Sequence, residues 1–459
     1  MSDIPWSPHP VEAIEALFAS RDADALAAAL SHPAIQADPY ARLRILDRLH
    51  ALQPGNVHVE LHRLQALLLG NRPARAWQAI SRWPDERFDD PALGLLAAQT
   101  AHTLGLDDEA CALFARLAAR HPDSIDILQK QVEFDPRQVD ASLESRLEAL
   151  HRHDADPYVR EKAGFALATA CQAHDLPRAF DLARAAHRLK RMRTGAWDVR
   201  GFRSALADDR QWPARPEAAS NHGAGRRHLF VVGAPRSGTT LASSLLGRHP
   251  GIANIGEQNL VGALANGPAR GAGARDDARL PRFAAAWYDA ATADMAGAAA
   301  VTLDKLPSNA ERCGLLQALL GDALVLHVHR DPRDCALSIH LHDFEHGLAY
   351  SSALDDIARY LHLLDAHMAH FEARLPGRIM RIGFEALVEA PEATLSPVLE
   401  RLGLSWTPDM LDFWRDGEQP GTFSAAQVRQ PLNRRGIGRW QRLGDAAGPL
   451  LQALAAATD

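Results

Sequence analysis

The chain has 459 residues, 47% of them hydrophobic and 23% charged, and a formal net charge of −7, which is length enough for two or three domains with full cores. That charge excludes broad nucleic-acid binding, so any basic site must be local. Four cysteines (Cys111, Cys171, Cys313, Cys335) stand far apart with no Cys-x-x-Cys pair and no Cys/His metal spacing, and read as free thiols of a reducing compartment.

The N-terminus carries early acids (Asp3, Glu12, Glu15) and no basic region followed by an apolar run, so no signal peptide is expected. No apolar stretch reaches the roughly 18 residues needed to cross a bilayer, and the chain reads as cytoplasmic. From about residue 10 to 195 apolar residues recur at helical spacing almost throughout. A period of 34 runs through this stretch: Ala76, Ile80 and Trp83 recur as Ala110, Phe114 and Leu117, and Leu64 and Leu67 recur as Ala98 and Ala101. A third unit is read from Phe165 to Leu189 around Ala179, 69 residues beyond Ala110, and residues 10–54 stand out of register. With a turn at Leu104-Gly105-Leu106-Asp107 and a closing Pro122, the pattern resembles tetratricopeptide repeats, in which a small alanine lets paired helices approach. An irregular α-solenoid is the alternative. Either one stacks helix pairs into an extended surface suited to a protein partner.

Residues 201–225 collect turn formers (Trp212-Pro213, Pro216, Asn221-His222-Gly223) and read as a linker between a helical domain at 1–200 and a second domain at 226–459. In the second domain strands are predicted at Leu229–Val232, Val301–Asp304, Ala323–His329 and Arg378–Ile382. Helices are predicted at Thr239–Arg248, Leu280–Ala296, Ser308–Leu320, Asp331–His342 and Ala353–Arg374. This alternation implies an α/β domain with a mostly parallel sheet covered on both faces, whose ligand sits at the carboxyl ends of the strands. Gly267 to Asp277 reads as a flexible insertion able to act as a lid.

The first predicted strand runs into Gly233-Ala234-Pro235-Arg236-Ser237-Gly238-Thr239-Thr240-Leu241. A glycine-rich turn between a strand and a helix aims backbone N–H groups at an anion. Its glycine spacing is that of a nucleoside-triphosphate loop, but Thr239 stands where such a loop has lysine. The loop therefore suits a phosphate other than the β,γ-phosphates of Mg-ATP. A second signal is His329-Arg330-Asp331-Pro332, with Ser338 two helical turns on. Asp331 can cap the helix and Pro332 fits its first turn. Alone, this segment reads as a helix cap beside a surface arginine; with the first loop, it offers Arg330 and Ser338 to a second phosphate.

At this point the chain resembles the sulfotransferases, in particular the tetratricopeptide-containing bacterial group and the related tyrosylprotein sulfotransferases. The elements that carry the resemblance run in order over residues 226–442: the loop, His249-Pro250, Gly256-Glu257, Asp304-Lys305-Leu306-Pro307-Ser308-Asn309, Arg330 with Ser338, Phe384-Glu385-Ala386-Leu387-Val388, Ser424 to Pro431, and Gly438-Arg439-Trp440. The resemblance implies a P-loop-like α/β sulfotransferase fold and 3′-phosphoadenosine 5′-phosphosulfate as co-substrate. Pro235, Arg236, Ser237, Gly238, Thr239 and Thr240 would hold the 5′-phosphosulfate, and Arg330 and Ser338 the 3′-phosphate. Ser424, Gln427 and Arg439 would complete the nucleotide site, Arg439 replacing a lysine of the tyrosylprotein enzymes. Phe384 removes a hydroxyl common at its position. Glu257 would be the catalytic base and Lys305 and Arg236 the cations on the leaving oxygen. Because cytosolic sulfotransferases use a histidine base, His342 and His346 are the alternatives, while His327 and His329 alternate along a strand.

The chemistry agrees with these roles. A carboxylate in reach takes the proton of an attacking hydroxyl, and fixed cations stabilise charge growing on the leaving oxygen. With neither a loop lysine nor a clear metal-binding aspartate, no metal is expected. The acceptor is read as a tyrosine of a peptide or protein, with a carbohydrate or small-molecule hydroxyl as the alternative. Two other classes stay open: a P-loop kinase, which saturable ATP hydrolysis would reveal, and a non-catalytic repeat scaffold, which would bind donor without turnover.

Overall fold

The computed structural model describes residues 21–32, 35–36, 38–214, 226–344, 348–415 and 430–457. The first half is all-helical, with eleven helices among the described residues: α1 (Ala23–Leu30), α2 (Pro39–Leu52), α3 (Val57–Leu69), α4 (Pro73–Ile80), α5 (Pro91–Thr103), α6 (Asp107–Arg120), α7 (Ile125–Phe134), α8 (Ala141–His153), α9 (Pro157–Cys171), α10 (Leu176–Thr194) and α11 (Val199–Asp209). Aspartate or asparagine side chains cap many of them, for example Asp38, Asn56, Asp90 and Asp156, leaving fewer orphan N–H groups in the first turn. Helix starts recur every 34 residues, at 57, 91 and 125 and again at 73, 107 and 141. The recurring positions Leu64, Leu67, Ala76, Ile80, Ala98, Ala101, Ala110, Phe114 and Leu117 are all buried. The pair α7–α8 therefore stands between the repeated units read from the sequence and the unit at 165–189, which the structure resolves as the pair α9–α10.

Helix α11 occupies the start of the segment read as a linker. Its periodicity is short, yet its last residue, Asp209, accepts hydrogen bonds from Gly314 N (2.7 Å) and Leu315 N (2.9 Å) in the second half. The segment 201–214 is thus part of the packed structure rather than a free connection; residues 215–225 lie outside the described residues.

The second half is built on a five-stranded, wholly parallel sheet of order β2-β3-β1-β4-β5. Its strands are β1 (Arg227–Gly233), β2 (Ile252–Gly256), β3 (Val301–Asp304), β4 (Leu324–His329) and β5 (Ile379–Gly383). Strand β2 has no counterpart among the predicted strands. Asn254 and Gly256 are poor strand formers, and the register shifts between these two residues, leaving Ile255 as a bulge. Around the sheet lie α12 (Thr239–Gly247), α13 (Leu260–Asn266), α14 (Leu280–Ala296), α15 (Cys313–Leu319), α16 (Pro332–His340), α17 (Leu354–Arg374), α18 (Phe384–Glu389), α19 (Pro391–Arg401) and α20 (Gly448–Ala456).

Alternation along β1 divides the core. Leu229 and Val231 face a cluster with α12 and α19, and Phe230 and Val232 face the opposite cluster with α14, α15, α16 and α17. That second cluster also takes in Ala168, Cys171, Leu176, Ala179, Phe180 and Ala183 from α9 and α10, so one apolar core joins the helical half to the sheet. The four cysteines are free thiols. Among the described residues no helix is long and apolar enough to cross a membrane. The insertion at 267–277 is pinned rather than loose: Arg275 pairs with Asp208 and lies 5.6 Å over the Trp212 ring. It helps to wall a cavity of about 410 Å³ between α11 and α15.

Candidate functional site

In a parallel sheet the loops that can converge on a ligand leave the carboxyl ends of the strands, and the crevice opens where the strand order switches direction. Here that place is the carboxyl edge of β1 and its neighbours β3 and β4. Strand β1 ends at Gly233, where an added Cβ would lie 2.4 Å from the Val328 carbonyl of β4. The loop then turns through Arg236 at φ 69° and Gly238 at φ 105°. An added Cβ at Gly238 would fall 2.5 Å from the Phe384 ring. Helix α12 begins at Thr239 without a side-chain cap on its first turn, which leaves its N–H groups available to an anion. Ser237, Thr239 and Thr240 are buried, and the Ser237 Oγ has no hydrogen-bond partner among the described residues.

Strand β4 ends beside this loop. Asp331 caps α16 through Arg333 N at 2.8 Å, with Pro332 in the first turn, as its sequence implies. Arg330 is held by three contacts: its Nη1 donates to the Arg236 carbonyl at 2.9 Å, its Nη2 to the Gly436 carbonyl, and its guanidinium stacks 4.6 Å over Phe384. Its Nε has no partner among the described residues. Ser338, on α16, accepts from Arg236 Nε at 3.0 Å. The two loops that the sequence offers to two different phosphates are therefore hydrogen-bonded to each other. Phe384, where the resemblance removes a hydroxyl, is the platform under Arg330 and against Gly238.

A third cation joins from the C-terminal segment. Asp334 accepts from Gly438 N (2.7 Å) and Trp440 N (2.8 Å), fixing the turn that carries Arg439. Arg439 in turn donates to Gln172 Oε1 of the helical half at 3.0 Å. Burial, then the charges of Arg330 and Arg439, pushes Arg236 down to about 9. Burial, then Arg442 and Arg330, pushes Arg439 down to about 10. Crowded like charges that are partly desolvated favour a bound anion.

On the other side of β1 the ends of β2 and β3 carry Glu257 and Lys305. Lys305 is fully buried and its Nζ is ion-paired with Glu257 Oε1, whose side chain keeps 37% of its exposure. Glu257 precedes helix α13, which starts only at Leu260, so it is not a first-turn residue. Next to Lys305 in the chain, burial pushes the Asp304 carboxyl up to about 8, opposed by a hydrogen bond from Tyr288 Oη at 2.9 Å.

Ser424, Gln427 and His346 lie outside the described residues. His342 Nδ1 is 2.8 Å from the Ser338 carbonyl, and burial followed by the Arg236 charge pushes its imidazole down to about 3, which makes it a weak proton acceptor. His327 pairs with Glu372 at 2.8 Å, in the interior. Sequence reasoning misses the roles of Gln172, Asp334 and Glu385, the last named only within the Phe384 to Val388 element; Glu385 accepts from Asp331 N at 3.0 Å. Nothing local marks them, because each acts on a segment distant in the chain.

Residues 228–408 match the sulfotransferase family. An uncharacterized protein of Aquifex aeolicus (strain VF5) is 28% identical over 399 residues, 82% of this chain, and the chain spans about half (52%) of that relative's length. Among solved structures, the sulfotransferase domain of the Synechococcus PCC 7002 olefin synthase aligns at 18% identity over 54% of this chain and 97% of that one, with a TM-score of 0.39. Sulfotransferase STF9 from Mycobacterium avium aligns at 13% identity over 68% of this chain and 94% of that one, with a TM-score of 0.30. The C-terminal half of this chain is a domain of the sulfotransferase family.

Proposed function

We propose that the protein transfers a sulfuryl group from 3′-phosphoadenosine 5′-phosphosulfate to an acceptor hydroxyl. The observation that carries this reading is the Arg236–Ser338 hydrogen bond, which ties a lysine-free phosphate loop to a second basic cradle. A nucleotide with phosphate at both ends of its ribose needs two such cradles close together. In this reading Pro235 to Thr240 hold the 5′-phosphosulfate and Arg330 with Ser338 the 3′-phosphate. Arg439 adds positive charge, and Ser424 and Gln427 are assigned to the nucleotide by the resemblance.

In the reaction, the acceptor oxygen forms a bond to sulfur as the bond from sulfur to the bridging oxygen breaks. The electron pair of that broken bond stays on the 5′-phosphate of the leaving adenosine 3′,5′-bisphosphate. The hydroxyl proton passes to the Glu257 carboxylate. Lys305, paired with Glu257 in the free protein, moves its charge to the bridging oxygen together with Arg236. No step requires a metal ion, and turnover is expected to persist in excess EDTA. Loss of turnover that Mg²⁺ restores would overturn that part.

The acceptor is proposed to be a tyrosine of a peptide or protein, supported by the resemblance to the tyrosylprotein enzymes and by a helical repeat half able to present a polypeptide. The test is a donor-dependent screen of tyrosine peptides against oligosaccharides and small phenols, read by mass spectrometry. Glu257→Ala should lose on the order of 10²–10⁴ in turnover while still binding adenosine 3′,5′-bisphosphate. Unimpaired turnover in that variant moves the base elsewhere. Sulfation of saccharides alone would replace the tyrosine assignment.

A further inference from the structure

Ile255 stands outside the β2–β3 register, at the bulge of a strand that forms the edge of the sheet. A buried carbonyl needs a donor, and one of the two that reach Ile255 O comes from the helical half. Asn71 Nδ2 donates to Ile255 O at 3.0 Å across 184 residues of sequence. We infer that the turn Gly70-Asn71-Arg72, between α3 and α4, positions the active site, with Asn71 holding the backbone that aims Glu257. The inference rests on the reading of Glu257 as the base.

Four observations converge on it. Asn71 adopts φ 54°, a left-handed conformation that asparagine tolerates better than most residues. Gly256, at φ 72°, leaves the space that the Asn71 amide fills, since an added Cβ there would lie 2.0 Å from Asn71 Nδ2. On the far side of Glu257, Gln258 Nε2 donates to both Gly70 O (3.1 Å) and Ile255 O (2.6 Å). The turn itself is anchored by Arg72, which donates to Ala291 O (3.0 Å) and to both oxygens of Asp294 (2.8 Å each) on α14. Residues 255, 256 and 258 are thus gripped on both sides of Glu257, while Lys305 N donates to Gly256 O at 2.8 Å from β3. Among the described residues Glu257 is hydrogen-bonded to Lys305 alone, so its direction is set by that pair and by this backbone. A displacement of about 1 Å in a reacting group can cost on the order of 10²-fold in rate. Asn71 is accordingly a positioning residue, acting through the backbone of Glu257.

The test uses the full chain and two variants. Asn71→Gly keeps the left-handed turn and removes the donor; Asn71→Asp keeps the size and turns a carboxylate oxygen toward the Ile255 carbonyl. Hydrogen–deuterium exchange should rise across residues 252–260 and stay unchanged across 233–240. Adenosine 3′,5′-bisphosphate affinity should hold, while turnover of the phosphosulfate donor, with a tyrosine peptide and with water as acceptors, falls on the order of 10- to 10²-fold. In a Glu257→Gln background the same changes should cost nothing further, because the group being aimed is gone. Unchanged exchange at 252–260, or losses that multiply with those of Glu257→Gln, would overturn the positioning role. Normal turnover in Asn71→Gly beside an impaired Glu257→Gln would remove this inference alone. An unimpaired Glu257→Gln, or no donor turnover in the unaltered protein, would remove the reading beneath it.

Discussion

Arg236 combines two unfavourable states, a left-handed backbone at φ 69° and a guanidinium buried beside other arginines. Residues held in sparsely populated backbone regions cost of order 1–3 kcal/mol each and cluster where ligands bind. The same concentration of unfavourable states recurs at Asp304, the neighbour of Lys305 in the chain, where burial pushes the carboxyl from 3.8 to about 8. A carboxyl whose pKa rises on folding binds its proton more tightly in the folded protein. Its contribution to stability is therefore present below its unfolded value and is lost as pH climbs through the folded one. Between those limits the loss is about 1.4 kcal/mol per pH unit at most. Asp304→Asn cannot lose a proton, so the stability of the unaltered protein relative to this variant should fall steadily from pH 5.5 to 8.5. Urea titrations of both at the two pH values measure it, and parallel stabilities would show that Asp304 is ionised throughout.

Among the elements, α15 takes its first-turn hydrogen bonds from outside its own segment. Asp209, the last residue of α11, accepts from Gly314 N and Leu315 N and lies 3.2 Å from His367 Nε2. An aspartate in this role is worth roughly 0.5–2 kcal/mol, so Asp209→Ala should lower the unfolding free energy by about that amount. A midpoint unchanged in chemical denaturation would show that solvent replaces the cap. This contact also marks what could be read in advance. The glycine-rich turn between β1 and α12, the Asp331-Pro332 helix start and strands β1, β3, β4 and β5 were legible because their signals are local: glycine spacing, a cap with proline, a buried apolar run. Strand β2 was hidden because its pairing is interrupted by a bulge and carried by Asn254 and Gly256. Helix α11 was hidden because Trp212-Pro213 and the acids before them read as turn formers, although the partner that fixes Asp209 lies 105 residues away. Gln172 and Arg439 were likewise invisible as a pair, being 267 residues apart.

At the scale of the whole molecule, the two halves meet through buried charge as well as apolar core. Asp343, just beyond α16, accepts from Lys162 of α9 (2.7 Å) and Lys190 of α10 (2.6 Å), and all three side chains are nearly inaccessible. Gln129 of α7 adds a hydrogen bond at 3.1 Å, and His187 of α10 lies 2.9 Å from the His340 carbonyl. Although burial opposes it, the two ammonium groups hold the Asp343 carboxyl far below the usual range. A depressed carboxyl contributes stability above its unfolded value and loses it as pH falls through the folded one, so the junction should weaken only in strong acid. Removing one partner of a buried ion pair strands the remaining charge at a cost of about 3–5 kcal/mol. Asp343→Asn strands two lysines, whereas an exposed pair such as Arg434–Glu389 should matter little. Since α9 and α10 share the core of the sheet, the helical half and the α/β half should unfold together. Calorimetry of the unaltered chain should show one transition, and that of Asp343→Asn one transition at lower temperature or two. Two transitions in the unaltered chain would mean that the shared core and the Lys162–Asp343–Lys190 cluster do not couple the halves.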